Sequence, residues 1–519
     1  MRKLITLALI LIAQTTNAQS TDAIRAHVKF LASDAVEGRG TGTRGYAVAA
    51  EYVATQFRIH GLEAQFQPIK FRTTVRETSS TMTIERDGAP PVVWKYGEQF
   101  ATYGDALRED TTASGRVVFV GYGVTTRDGK YDDYAKINAK GKIVAYLTGA
   151  PNTMTSEVRA HYSSSLNKME TAVAHGAIGT ITIFGPYDQN IPWTAITRRA
   201  EQGQMHWLEA NGTPHATRRE ILAGAILSKA GAESLFSSSP FTLSDVYTQA
   251  ANGTVRSFDL PLRASIHVLS QHGESVSSNV IGVLRGRDPK LRDEYLVYSG
   301  HLDHLGITSP VNGDTINNGA LDNASGIAAM IEIARLLAVA KPRRSVLFLA
   351  TTGEEKGLRG ADYFANNPTV PAKSIVADIN LDEILMMTPV TDVVALGGDH
   401  SDLGEVVARA AKSAGVTVSP DPYPEEANFV RSDQYPFVRV GIPSIYIGAG
   451  YHAADSKIDA QKLQLAWIGT LYHTPQDDLS QPIDFSVGAM VAKVALKAGE
   501  MVANRDARPR WKPGDFFAR

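Results

Sequence analysis

The 519-residue sequence contains no cysteine. That absence excludes disulfide scaffolds, iron–sulfur clusters, thiolate zinc fingers and cysteine nucleophiles. Any metal must be held by His, Asp and Glu. Charge of neither sign is in excess: 52 Lys and Arg stand against 54 Asp and Glu, a formal net charge of −2. The chain therefore lacks the electrostatic footprint of a nucleic-acid binder, or of a protein drawn to an anionic membrane surface. The N-terminal apolar run of 4–13 falls well short of the roughly twenty residues that span a bilayer, and no second long apolar stretch is expected to act as a stop-transfer helix. The 44 Gly and 24 Pro follow no fixed period, which excludes collagen-like architecture. Neither HExxH nor GxSxG occurs, so zincin and serine-hydrolase readings lack support. What is present is an ordinary globular mix, 43% hydrophobic and 20% charged, and enough chain for about three domains.

Residues 1–18 have the form of a secretory signal peptide. Arg2 and Lys3 supply the basic start, 4–13 (LITLALILIA) the apolar stretch, and Thr16-Asn17-Ala18 a small-residue cleavage site before Gln19. The apolar run is too short for a membrane anchor. The expected mature protein is exported, periplasmic or extracellular, and has no membrane span.

Residues 19–65 suggest two helices. One carries Ile24, Val28 and Leu31 on one face, and the other Tyr52, Val53, Phe57 and Ile59. Between them GRGTGTRG matches GxGxxG at Gly40, Gly42 and Gly45. A dinucleotide fingerprint follows a strand, whereas here a helix precedes it, so a helix–helix connection is the better reading. From 66 to 265 short apolar runs bounded by glycine predict strands, such as 117–120, 143–147 and 180–183, with a helix near 166–175. Ser165 to Lys168 matches SxxK, but its companion elements are missing and chance accounts for it. From 266 to 505 strands and helices alternate, and 506–519 is a tail. That alternation predicts an α/β fold with a mostly parallel central sheet flanked by helices.

Polar residues follow those strands in turn. The strand at 295–298 leads to His301 and Asp303. The loop at 317–321 leads to Asp322 before an amphipathic helix with Ile327, Met330, Ile331, Ala334 and Leu337 on one face. VLFLA at 346–350 leads to Glu354 and Glu355, the strand at 375–381 to Asp382, and His473 comes late. Ligands bind at the carboxyl ends of strands in open parallel sheets. A lone carboxylate in a loop is ordinarily a solvated surface group, but this succession is much harder to dismiss. Carboxylates and neutral imidazoles suit zinc and similar divalent ions. The chemistry they can run is two-metal hydrolysis, in which a water made acidic by the cations needs a proton acceptor that is not itself a ligand. The Glu354-Glu355 doublet could divide the roles of acceptor and ligand, without showing which is which.

At these residues the sequence resembles the di-zinc exopeptidases of metallopeptidase family M28. The matching motifs are GHLD at 300–303, GALDNASG at 319–326, EEKGLRGA at 354–361, NLD at 380–382 and YHTPQD at 472–477. The resemblance implies the zinc exopeptidase fold and two Zn(2+) per chain. It implies that Asp322 bridges both ions, His301 and Asp382 complete one site, and Glu355 and His473 complete the other. It makes Glu354 the general base, places Asp303 behind His301 as its orienting group, and gives Asp477 a similar place near His473. It also implies a cis peptide between Asp322 and Asn323. GYGVTTRDGKYDDY and the following KGKIVAYLTGAP resemble a protease-associated domain, mainly β, inserted into the catalytic domain. LASDAVEGRGTGTRGY resembles that domain's usual opening.

Two positions depart from the family pattern. Ser432-Asp433-Gln434 stands where Ser-Asp-His is frequent, and Glu383 stands where an apolar residue is usual. Both bear on substrate preference. His304 and His452 are not needed as ligands. The expected activity is that of an aminopeptidase acting on peptide substrates with a free N-terminus. The alternatives on the same fold are a carboxypeptidase, in which Arg359 or Arg431 would clamp a carboxylate, or a single-zinc glutaminyl cyclase. An inactive binding protein would have lost ligands or the base, and none is missing.

Overall fold

The computed structural model describes residues 20–518 apart from 187 and 189. The expected signal peptide lies outside them. Two compact units divide the chain. The described residues up to Ile69 together with those from Val276 form one, and Lys70–Ser275 form the other.

The first unit is built on strands β1 (Phe258–Leu284, of which 280–284 pair here), β2 (Tyr295–His301), β3 (Ser345–Thr351), β4 (Ile375–Asn380), β5 (Asp392–Leu396), β6 (Thr417–Ser419) and β7 (Ser444–Ala449). They lie in the order β6-β5-β7-β4-β2-β3-β1. Pairing is parallel for β6/β5, β7/β4, β4/β2 and β2/β3, and antiparallel for β5/β7 and β3/β1. The fold is thus the α/β class expected, with a mostly parallel sheet. Every residue of β2, β3 and β4 is buried. These strands are apolar without alternation because helices cover both faces.

On one face lie 20–31, α1 (Arg44–Ile59), α2 (Ser325–Ala340) and α4 (Phe485–Asn504); on the other, Arg359–Asn366 and Gln434–Arg439 bring Phe364 and Phe437 against Val297 and Leu349. Thr43 caps α1 by accepting from Tyr46 N at 3.3 Å, and Tyr46, Ala49, Val53 and Phe57 face inward. Helix α2 differs from its amphipathic expectation. Ala328, Ala329 and Ile333 are as buried as the predicted face, because α1, α4 and the sheet surround the helix. The stretch Ala320–Ala340 is long and apolar enough to cross a membrane, yet most of it lies in this core. A helix that is hydrophobic all round is a buried one. A further helix, α3 (Ala460–Thr470), was not expected from the sequence. The tail packs onto this unit: Phe517 is buried and Trp511 Nε1 donates to Gly441 O at 2.9 Å.

In the second unit Asp110–Phe119 pairs antiparallel with β1 at 258–269, then parallel with Ile143–Leu147. That strand continues in parallel to Gly179–Ile183 and Ala223–Leu227. Parallel neighbours need long crossovers, usually helical. Ser165–Ala174 and Trp193–Glu201 are such helices, set among the strands of this unit.

Candidate metal centre

Six of the predicted residues converge at the carboxyl edge of the first unit's sheet. His301 ends β2. Asp322 sits in the turn Ala320–Ala324 that opens α2. Glu354 and Glu355 follow β3, Asp382 follows β4, and His473 follows α3 with φ +58°. The Asp322–Asn323 peptide is cis. Gly319 makes the turn possible. Its φ is +58°, and a Cβ there would meet Asp322 O at 2.1 Å.

The two oxygens of Asp322 face different imidazoles. Oδ1 lies 3.1 Å from His301 Nε2, and Oδ2 lies 3.1 Å from His473 Nε2. His301 Nε2 is also 3.0 Å from Asp382 Oδ1, and His473 Nε2 is 3.2 Å from Glu355 Oε2. Two donor sets therefore share one carboxylate. Bonds of about 2.0–2.2 Å to a tetrahedral ion put its ligand atoms roughly 3.3–3.6 Å apart. These donor–donor spacings come close to that, and the all-oxygen-and-nitrogen set suits zinc and similar cations. The residues fit a pair of divalent ions.

The supporting contacts differ from the expectation in two respects. His301 Nδ1 is held at 2.9 Å by the main-chain carbonyl of Asp303, not by its side chain. The Asp303 carboxylate accepts instead from Thr41 Oγ1 at 2.7 Å and from Glu354 N at 3.1 Å. Asp477 likewise acts on Asp322 and not on His473. It accepts from Leu321 N and Asp322 N, each at 3.0 Å. In both cases a short side chain reaches a nearby backbone N–H more readily than a ring across the site.

Other contacts had no sequence signal. His304, fully buried, places Nδ1 2.8 Å from Glu355 Oε1. Ser432 Oγ donates to Asp382 Oδ2 at 2.5 Å. Gln434 is buried away from the cleft, with Oε1 accepting from Asn380 Nδ2 at 2.7 Å and Nε2 donating to Phe429 O at 2.7 Å. It serves the loop's shape. His452 pairs with Asp392 Oδ2 at 2.7 Å, outside the centre.

The electrostatics are those of crowded, buried charge. Burial and Asp322 push Glu355 up, but hydrogen bonds with His304 and His473 prevail and hold it at about 2. Burial lowers His473, yet Asp322 and Glu355 outweigh it and raise the ring to about 10. Burial raises Glu354 well above the usual carboxylate range, with Glu355 and Asp382 adding to the effect. Divalent cations would oppose that upward push.

A cavity of ≈ 150 Å³ opens beside these residues. Glu354, Asp382, Glu383 and Asp421 line it, as do Leu385, Val394, Leu396 and Ile468. Arg431 also lines it and pairs with Glu426 Oε2 at 3.0 Å. The Glu383 carboxylate has no hydrogen bond or ion pair among the described residues, and its φ is +40°.

The carboxyl edge of the mostly parallel sheet thus gathers buried carboxylates and imidazoles in groups that could hold metal ions. Residues 279–498, which hold every candidate ligand, match the model of Peptidase family M28, a family of hydrolases acting on peptide bonds. The resemblance read from the five motifs therefore holds for this segment. A probable zinc metalloprotease of Pyricularia oryzae is 30% identical over 267 residues, 45% of this chain and 51% of that one. An aminopeptidase of Pseudomonas aeruginosa is 27% identical over 374 residues, 70% of this chain and 57% of that one. The chain thus spans about half the length of these curated relatives. In structure it is similar to an aminopeptidase from Aneurinibacillus sp. strain AM-1, with TM-score 0.54 and 20% identity over 96% of this chain and 97% of the other. That likeness shows the fold.

Proposed function

We propose that the protein is an exported, zinc-dependent aminopeptidase with two zinc ions per chain. The observation that carries this reading is Asp322, whose two oxygens face His301 and His473 separately. His301 and Asp382 would hold one ion with Asp322, and Glu355 and His473 the other. When bound, the cations supply the Lewis acidity that polarises a scissile carbonyl and acidifies a nucleophilic water.

Glu354 is the proton carrier. It lines the cavity, and Asp303 fixes its backbone, so its carboxylate is free to take the water's proton and return it to the leaving amine. His304 and Ser432 steady the outer oxygens of Glu355 and Asp382. The acidic lining suits a substrate ammonium, which favours an aminopeptidase over a carboxypeptidase. Arg431, the one arginine on that lining, is already paired with Glu426. The apolar wall suits an apolar first side chain. The Lys70–Ser275 unit would be the inserted protease-associated domain.

A panel of aminoacyl chromogenic substrates and N-blocked peptides tests this reading, with and without a chelator. Turnover of free-amine substrates that a chelator stops is the expected result. Turnover confined to N-blocked peptides rejects the aminopeptidase.

A further inference from the structure

The GRG segment at 38–40 resembles a mere connection in sequence, yet its arginine is among the most completely engaged side chains in the molecule. Arg39 is fully buried. Its Nε donates to Leu302 O at 2.8 Å. One terminal nitrogen donates to Leu31 O and, at 2.6 Å, to Asn318 O. The other donates to Gly319 O at 3.0 Å and Asp322 O at 3.5 Å. All five guanidinium donors meet main-chain carbonyls, and no carboxylate touches the group among the described residues. Three of those carbonyls belong to the loop that delivers Asp322. A fourth lies between His301 and Asp303.

The backbone around Arg39 is equally tied. His304 N donates to Arg39 O at 3.1 Å. Gly38, at φ +67°, passes so close to the neighbouring loops that a Cβ would lie 2.6 Å from Asn317 O and 2.8 Å from Gly306 O. The charge matters too. Burial draws the guanidinium down to about 10, against the opposing pull of Asp322, Asp477, Asp303 and Glu355. It stays charged at neutral pH, a fixed cation behind a cluster of acids. Lysine could not replace it, having three donors and no planar fork.

We propose that Arg39 is a positioning residue of the metal centre. Its guanidinium holds in register the loops that deliver His301 and Asp322, and supplies the fixed positive charge against which the carboxylates assemble. The proposal rests on the two-ion reading above but not on the identity of the substrate.

The test uses the full chain stripped of metal: wild type, Arg39→Lys and Arg39→Met. Zinc and cobalt(II) affinities are measured by competition with a chromophoric chelator, alongside the cobalt(II) absorption spectrum. The expected result is a loss of affinity of about 10–100-fold in Arg39→Met, the range found when groups that orient metal ligands are removed. Arg39→Lys should fall between, with a shifted spectrum. A residue that only supports the fold would lower the melting temperature and leave the spectrum of the folded protein unchanged. Affinities within twofold of wild type and superimposable spectra overturn the proposal. If Arg39→Met does not fold, Arg39→Lys and one measurement on wild type still decide. The 15N-labelled Arg39 Nε–H should be protected from exchange and should shift as cobalt is added; a silent signal overturns the proposal. Wild type that binds no cobalt would instead remove the two-ion reading itself.

Discussion

Arg39 and Lys168 are two buried cations in different units, and main-chain carbonyls satisfy both. Lys168 Nζ donates to Tyr122 O, to Leu147 O at 3.1 Å and to Gly149 O at 2.6 Å. Their surroundings differ. Four carboxylates bear on Arg39, and all of them belong to or support the metal centre. Asp133 and Asp188 bear on Lys168. Burial takes Lys168 down to about 7, so the ammonium sits near neutrality, while Arg39 keeps its charge. A buried charge therefore says little alone. The charges around it decide whether it braces a reactive site or closes a structural knot.

The sharpest way to break this comparison is to alter chemistry in one place and stability in the other. Glu354→Gln keeps the shape of the side chain but cannot take a proton. Peptide hydrolysis should fall by about 10²–10⁴-fold, the usual share of a general base. Zinc content and melting temperature should stay at wild-type values. Retained activity would remove Glu354 from its role.

Lys168→Met should do the reverse. It leaves three carbonyls short of a donor, each costing about 1–3 kcal/mol when buried. Relaxation and water offset part of this, so a loss of about 3 kcal/mol for the Lys70–Ser275 unit is expected. Hydrogen exchange in the intact chain, followed at Ile143–Leu147 and Gly179–Ile183, reads it. Zinc affinity should be unchanged. A variant that lost zinc while keeping its exchange protection would reverse the comparison.

The difference also explains what could be read in the sequence. His301, Glu354, Glu355 and Asp382 stand out because they lie at or just past the ends of buried strands, Asp322 and His473 because of the motifs around them, and ligand chemistry depends on side-chain type. Two short patterns say nothing of the cations they carry. GRGTGTRG reads as a helix–helix connection, which it is, and SxxK as a chance match. In the structure both cations bond to carbonyls, which every residue carries and which leave no trace in sequence. Arg39 reaches carbonyls of Leu302 and Gly319, far along the chain. Asp303 and Asp477 were legible as residues near the centre but not in what they hold, because each accepts from backbone N–H. Helix α3 was missed because its exposed apolar residues, Leu463, Leu465 and Ile468, blur the helical period.

The smallest effect tests the knot around Lys168 by pH, and its sign follows from proton counting. Lys168 titrates near 7 when folded, chiefly through burial, and near 10.4 when unfolded. Between those values the unfolded chain binds more protons, so stability of this unit should rise with pH, by at most about 1.4 kcal/mol per pH unit. Asp133 acts in the opposite sense. Burial raises it to about 6, although Tyr122 N and Val124 N each donate to it at 3.0 Å. Between about 4 and 6 the folded chain binds more protons, and stability should fall as pH rises. The unit should thus be least stable between about pH 6 and 7. Exchange protection at Ile143–Leu147, corrected for intrinsic rate, should pass through a minimum there. In Lys168→Met the rising limb above pH 7 should vanish while the falling limb below 6 persists. A rising limb that survives the substitution would show that some other group carries it, and that Lys168 keeps its charge in the fold across this range, its three N–H shared among the three carbonyls.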